Sequence, residues 1–356
     1  MVIETLRLER FRNYPSLEVS FPRNPIVFVG RNGQGKTNLV EALYLLTHLR
    51  SFRSPDLDPL IQQGESQAFL QADLKKKQVG HQVKIALFKA QKRVWLDEKP
   101  LGLGTEYIRQ FTSLLFSPAS LNAYAQDPAE KRAFFDRNLS LLEPHYIERL
   151  KEYNHIRKNR NILLKQRDVR QLQAWDELLC QKIPPLVQAR EQLVQRVNQG
   201  ITHEFQQLTG RSETLTLHYK SDLQDKTPLE PASLARFFSE KRPQELESGH
   251  QQYGPQKDRF WMTLGGKKDK VMFSQGEQRT AFLALLFCME GILKTTTGFA
   301  PVLLLDDLFS ELDAQVTAKL VARLHEADRQ SFTTTTQIPP SFAGRVFEVS
   351  QGQLVL

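Results

Sequence analysis

Residues Gly30-Arg31-Asn32-Gly33-Gln34-Gly35-Lys36-Thr37 match the pattern G-x-x-x-x-G-K-[ST] in full, and the segments beside them narrow the possible architectures sharply. Ile26-Val27-Phe28-Val29, just ahead, is β-branched and aromatic and short enough for a buried strand. Just behind, Leu39, Val40, Leu43, Leu46 and Leu49 recur at helical spacing, with Asn38 and Glu41 between them. The pattern therefore predicts a glycine-rich turn joining a strand to a helix in an α/β fold. Backbone N–H groups at such a helix N-terminus are unpaired and partly positive, which suits a polyphosphate. Gly30, Gly33 and Gly35 permit the tight path. Lys36 is expected between the β- and γ-phosphates, and the Thr37 hydroxyl in a Mg²⁺ shell made otherwise of water and phosphate oxygen.

A second half of such a site is legible far downstream. Pro301-Val302-Leu303-Leu304-Leu305-Asp306-Asp307 is an apolar run ending in two acids, as in a central parallel strand buried on both faces. Open α/β sheets bind ligands at the carboxyl ends of such strands. Asp306 is expected to hold Mg²⁺ through water, and Asp307 to orient or deprotonate the attacking water. Ser274-Gln275-Gly276-Glu277-Gln278-Arg279 precedes an apolar helix through Leu283, Leu286, Phe287 and Leu293; Ser274 with Glu277 forms a capping box, and Gly276 leaves the first turn bare. Ser310-Glu311-Leu312-Asp313 repeats the capping pattern before a helix carrying Val316, Leu320, Val321 and Leu324.

Between these segments, Leu6 and Leu8, then Leu17, Val19 and Phe21, alternate with polar residues and read as two half-buried strands. Residues 67 to 102 read as an antiparallel β subdomain. From about Ser117 long helical periods take over, one from Tyr146 to Leu164, the next interrupted at Pro184-Pro185, a third from Leu186 to Leu208. Residues 220 to 250 read as loops with one short amphipathic piece from Leu234 to Phe238. The helical insertion carries Arg149, Lys151, Arg157, Lys158, Arg160, Lys165, Arg167 and Arg170 against Glu152 and Asp168. That stripe fits a phosphate backbone as well as a solvated helix face. The net charge of +8 agrees with an anionic partner such as nucleic acid. The two cysteines, Cys180 and Cys288, read as buried free thiols rather than metal ligands or a disulfide. The longest apolar run, Ala281 to Met289, is far below the ~20 residues of a membrane span. A cytoplasmic protein with no membrane contact is expected.

The ordered set Gly30 to Thr37, Ser274 to Arg279, Leu303 to Asp307 and Ser310 to Asp313 resembles the ATP-binding-cassette (ABC) heads of SMC-like ATPases. Arg10-Phe11-Arg12-Asn13-Tyr14, Ser51-Phe52-Arg53, Phe116-Ser117-Pro118 and Trp175-Asp176 are more particularly similar to the RecF family of bacterial recombination proteins. The resemblance implies an α/β ABC-type P-loop ATPase head, lobe I, formed by residues 1–116 and 251–356, with a mixed sheet and an antiparallel β subdomain. It also implies a mostly helical lobe II inserted as residues 117–250, and no long coiled coil. ATP and Mg²⁺ are the implied cofactors. Asn13, Asn32 and Asn38 are implied to line the nucleotide, Arg12 to approach its phosphates, and Lys36 and Asp307 to act in catalysis. Ser274 and Gly276, with Glu277, are implied to reach the γ-phosphate held by a second copy's loop, and Asp313 to cross to that copy.

The family's implied role is ATP-dependent dimerisation on single-stranded, gapped or junction DNA in recombinational repair, replication restart and the SOS response, together with recombination-mediator proteins. A weak DNA-dependent ATPase is the implied activity. An ATP-gated scaffold with protein partners is the alternative, and the long basic stretch between Lys36 and Ser274 argues against a transporter's ATPase subunit. Three departures stand out. Gly254-Pro255-Gln256-Lys257-Asp258-Arg259 replaces the family's Gly-Pro-His-Arg-Asp-Asp, Phe332-Thr333-Thr334-Thr335-Thr336-Gln337 offers no switch histidine, and Asp307 stands where transporter cassettes have glutamate. The shorter acid predicts turnover below the enzyme median of about 10 per second.

Overall fold

The computed structural model describes the chain except residues 103, 269–272, 311, 326–328 and 356. Two compact units emerge: Met1–Asn122, His203–Ser212 and Ser274–Leu356 form the first, Ala123–Thr202 and Glu213–Phe273 the second. Residues 251–273, expected in the first lobe, fall in the second unit because β10 (Arg259–Leu264) pairs antiparallel with β9 (Leu215–Lys220).

The first unit holds two sheets. One is antiparallel, in the order β2 (Tyr14–Ser20), β1 (Val2–Phe11), β4 (Gln67–Lys76), β5 (Val79–Phe88), β6 (Gln91–Leu96), β7 (Lys99–Pro100). Its alternating strands bury Leu6 and Leu8, Leu70 and Leu74, Val83 and Ile85 on one face. The other runs β15 (Gln353–Val355), β14 (Arg345–Ser350), β3 (Ile26–Val29), β13 (Ser331–Thr335), β12 (Val302–Leu305), β8 (Ser113–Phe116), all parallel save β15. Parallel strands covered on both faces need continuous apolar runs, and all of β12 is buried. α1 (Lys36–His48) packs against β4 of one sheet and β8, β12 and β13 of the other. A helix between two sheets must be apolar all round, and every residue from Leu39 to Thr47 is buried, Glu41 included.

α2 (Gly104–Gln110) and α3 (Pro118–Gln126) flank β8. The helix Gln275–Thr297 is long and apolar enough to cross a membrane by composition, contrary to the reading from the apolar run alone, but 67% of its apolar window is buried inside the fold. It is a core helix, with Ala281 to Met289 all buried.

The second unit is built from α4 (Pro128–Leu142), α5 (Tyr146–Gln166), α6 (Val169–Asn198) and α8 (Pro231–Ser248), plus a three-stranded sheet of β9, β10 and β11 (Lys267–Lys268). α7 (Ile201–Thr209) follows a break at Gln199-Gly200. Pro184-Pro185 does not interrupt α6. A proline φ near −65° suits a helix, and burial of Ile183, Leu186 and Val187 offsets the missing donors. Residues 231–248, expected as loop around a short amphipathic piece from Leu234 to Phe238, form one helix, α8, because Leu234, Phe237 and Phe238 are buried and Glu245 accepts a hydrogen bond from Arg160 at 2.7 Å.

Two buried arginines organise this unit. Arg160, expected in a basic surface stripe, is fully buried between Asp176 at 2.6 Å and Glu245. Lys151, Lys158, Lys165, Arg167 and Arg170 remain exposed. Arg190, 2% exposed, donates to both oxygens of Asp136, to Asp258 Oδ2 at 2.7 Å and to the Pro255 carbonyl at 2.8 Å. It thereby anchors the divergent Gly254–Asp258 segment. Arg190→Met would leave the buried Asp258 and the partly buried Asp136 without their cation, so a loss of about 3–5 kcal/mol is expected, read as a lower urea midpoint. Cys180 and Cys288 are both buried free thiols.

Candidate functional site

The parallel register sets Val29 beside Thr335, Leu305 beside Thr333 and Phe116 beside Leu305, so the loops leaving β3, β12 and β8 emerge at one edge of the sheet. There the Gly30–Thr37 loop meets Asp306. The Thr37 hydroxyl donates to Asp306 Oδ1 at 3.0 Å. Thr334, on the intervening strand, donates to the same oxygen at 2.8 Å and accepts the Asp307 N–H at 2.8 Å. Thr334 thus fixes both acids. Sequence reasoning did not single it out; the signal available was a run of polar residues, Thr333 to Thr335, at the buried end of a core strand.

The loop is braced from two sides. Asn13 Nδ2 donates to the Gln34 carbonyl at 3.1 Å, the Tyr14 hydroxyl to the Gly35 carbonyl at 3.1 Å, and the Gln351 N–H to Gln34 Oε1 at 2.7 Å. Two glycines are required by this close fit. A Cβ on Gly30 would stand 2.3 Å from the Val349 carbonyl oxygen, and one on Gly35, at φ +113°, 2.5 Å from the Asn13 amide. Arg31, Asn32 and Gly33 face solvent. Lys36 Nζ donates to the Gly30 and Arg31 carbonyls at 2.6 and 2.9 Å.

The electrostatics of the site ask for counter-charges. Burial lowers the Lys36 pKa, with Asp307 and Asp306 opposing the shift, and burial raises that of Asp306 against the hydrogen bonds from Thr334 and Thr37. A polyphosphate beside Lys36 and a divalent cation beside Asp306 would each favour the charged form that burial disfavours. Thr37 and Asp306 supply two oxygen ligands in contact. No cluster of three or more His, Cys, Asp or Glu metal ligands occurs among the described residues. That donor set fits Mg²⁺, which keeps most of its shell for water and phosphate.

Arg12, Asn13 and Glu277, all expected at the nucleotide, have protein partners here. Arg12 Nε and Nη2 donate to Glu41 at 2.8 Å each, and Ser51 donates to the same carboxylate at 2.5 Å. Arg12, Asn13, Asn38 and Arg53 line, with Pro59, Ile61 and Gln63, a cavity of about 520 Å³ next to the loop. Asn13 is committed to bracing, and Asn38 donates to it at 2.7 Å. Glu277 is occupied in the expected capping box, accepting the Ser274 N–H at 2.9 Å, and also accepts from Arg211 at 3.0 Å. Those bonds lower its pKa, the Ser274 amide most.

Ser274 itself is exposed, and a Cβ on Gly276 would meet nothing within 4 Å, so the first turn of this helix is open outward. From its inner side Arg279 donates to the Asp307 carbonyl and to Ser310 Oγ, and Ser310 donates to Asp307 Oδ2 at 2.8 Å. Asp307 adopts φ 49°, unusual outside glycine and held here by these bonds. Ser310 therefore supports Asp307 rather than capping the next helix, Ala314–His325; Asp313 does that, accepting the Val316 N–H at 2.8 Å. Glu311 lies outside the described residues.

This architecture has known counterparts. The RecF/RecN/SMC N-terminal domain family matches residues 2–343. The DNA replication and repair protein RecF of Halothermothrix orenii is 33% identical, covering 99% of this chain and 98% of that protein. Its namesake in a Synechococcus species is 31% identical, covering 99% and 97%. A solved structure of the recombination mediator protein RecF with ATP, in the RecFOR pathway, superimposes with a TM-score of 0.89 at 25% identity, covering 99% of this chain and 96% of that one. An SMC head bound to the C-terminal winged-helix domain of ScpA shares the fold alone, at TM-score 0.61 and 15% identity. The chain belongs to the RecF family.

Proposed function

We propose that this protein is an ATP-dependent, DNA-binding repair protein that acts in the cytoplasm at gaps and stalled replication sites, promotes recombinase loading and the SOS response, and dimerises on ATP. The observation that carries the reading is the contact of Thr37 with Asp306 beside Lys36 and under the braced loop. Lys36 leaves its two carbonyl partners for the β- and γ-phosphates, while the loop N–H groups hold the remaining oxygens. Thr37, and Asp306 through water, would hold Mg²⁺, which when bound would supply positive charge against the phosphates. Asp307, held by Ser310, orients the attacking water or takes its proton. The cavity lined by Arg12, Asn38 and Arg53 takes the nucleoside end.

Dimerisation follows from the open turn at Ser274 and Gly276. In a head-to-tail pair each copy presents that turn to the γ-phosphate in the partner's loop, and Asp313 crosses the interface. ATP favours the closed pair, and loss of the γ-phosphate removes the differential contact. Recombination-mediator proteins would then meet a clamp whose lifetime slow hydrolysis sets.

Sedimentation with and without Mg-ATP and a gapped duplex tests this. The wild type is expected to become dimeric with ATP, more so on DNA, and Ser274→Arg to stay monomeric while still binding ATP. A monomer under every condition would remove the cross-subunit mechanism and favour a scaffold with protein partners.

A further inference from the structure

The three-stranded sheet of the second unit carries chemistry that the nucleotide site does not use. Pairing sets Arg259 opposite Lys220, Trp261 opposite His218, and Thr263 opposite Thr216 on one side and Lys268 on the other. One face is inward: Leu215, Leu217, Phe260, Met262 and Leu264 are buried, with Phe260 stacked on Phe135 at 4.1 Å. Side chains alternate along a strand, so Thr216, His218, Lys220, Arg259, Trp261 and Thr263 share the opposite face. There Arg259 and Lys268 are exposed, and Trp261 is half-buried.

Trp261 lies at the centre of this face. Its ring stacks on His218, centroids 5.2 Å apart and planes within 10°, and Lys268 Nζ stands 6.0 Å above it. His218 is itself fixed by a 2.8 Å hydrogen bond with Thr263 Oγ1. Such a ring presents a preordered flat surface ringed by cations. Lys220 is paired with Asp225, but no ion pair among the described residues engages Arg259 or Lys268. The outer face of the six-stranded antiparallel sheet makes a useful contrast. It also holds a tryptophan, Trp95, beside a cavity of about 490 Å³, yet Arg7 is paired with Glu18 and Lys84 with Glu98. Its charges cancel.

We propose that the β9–β11 face is a stacking platform for single-stranded nucleic acid. A base lies on the exposed part of Trp261 and its flanking phosphates meet Arg259, Lys268 and Lys220. Stacking needs an unpaired base, so the platform selects single strands over duplex, and the cations supply affinity without sequence preference. The assignment rests on the DNA-binding reading above and adds to it the kind of strand and its place.

Fluorescence anisotropy with labelled oligothymidylate, oligouridylate and a duplex of equal length tests the platform. Trp261→Ala is expected to weaken oligothymidylate binding about tenfold, and Trp261→Phe about threefold at most, with duplex binding unchanged. The surface pair Arg259→Ser and Lys268→Ser should lower the slope of log K against log salt by about 1.4 on single strands. Equal losses on oligouridylate would extend the assignment to RNA. Wild-type affinity in both Trp261→Ala and the Arg259/Lys268 pair, or an equal loss on duplex, would overturn the platform. Duplex binding without single-strand binding would overturn it and leave the DNA reading standing; binding of neither would remove both.

Discussion

Lys36→Ala abolishes ATP binding while leaving the fold intact: titration calorimetry with Mg-ATP should give no resolvable heat, against a clear isotherm for wild type. Lys36 is 8% exposed and its ammonium is satisfied by two loop carbonyls, so a polyphosphate would replace neutral acceptors with charged ones. A hydrogen bond to a charged group contributes about 1.5–3 kcal/mol, and two phosphates share this one, so at least a hundredfold loss is expected. The second half of the prediction separates ligand binding from folding. Burial already disfavours the charged lysine, which lowers its pKa. Its removal should therefore leave the thermal midpoint of the nucleotide-free protein unchanged or slightly raised. Retained affinity with an unchanged midpoint would place the phosphates elsewhere.

The parts of the fold that were legible in the sequence are those whose pattern is local. Ile26 to Val29, the glycine loop and the periodic Leu39 to Leu46 declare a strand, a turn and a buried helix within some twenty positions, and the structure has them there. The Ser274–Glu277 capping box was equally local and is present in both directions. What failed depended on distant partners. Nothing within residues 231–248 announces that Glu245 will accept from Arg160, and without that partner the segment beyond the amphipathic Leu234 to Phe238 reads as polar loop. Arg160 itself looked like one more cation in a stripe, because only its carboxylates, 16 and 85 residues away, reveal a buried role. Pro184-Pro185 punctuates a chain considered alone, yet packing on both sides carries α6 through it.

The site shows the same division. The residues with a motif, Lys36, Thr37, Asp306 and Asp307, are named from spacing, and the last three are linked through hydrogen bonds with Thr334 that span most of the chain. Thr334 was not singled out, since a threonine in a strand has no signature of its own, and Arg279 was named only as the end of the Ser274–Arg279 block, without its contact to Asp307. Glu41 was invisible for a different reason. A charged residue on the buried stretch of α1 looks like the helix's solvent face until the sheets on both sides and the three donors Arg12, Ser51 and Arg53 are known.

Asp307→Asn should uncouple the two events that ATP controls. The amide keeps the shape of the carboxylate and can still accept the Ser310 hydroxyl, while Arg279 holds the backbone carbonyl of the same residue, so the loop geometry survives. Lost is the negative charge proposed to orient water or take its proton. General-base removal of this kind lowers rates by about 10²–10⁴-fold. ATP affinity, which rests on Lys36, Thr37 and the loop amides, should change little. The proposed dimer should then persist far longer than in wild type after excess nucleotide is removed. Single-turnover hydrolysis and dimer dissociation, measured on the same sample, give the two numbers. Slow hydrolysis with a long-lived dimer fits the role derived for Asp307. Slow hydrolysis with a wild-type lifetime would mean that the pair opens before the γ-phosphate leaves, so that ATP binding rather than its cleavage sets the clamp's duration. Unchanged hydrolysis would move the base elsewhere at this sheet edge, and the shorter side chain of Asp307 would no longer account for slow turnover.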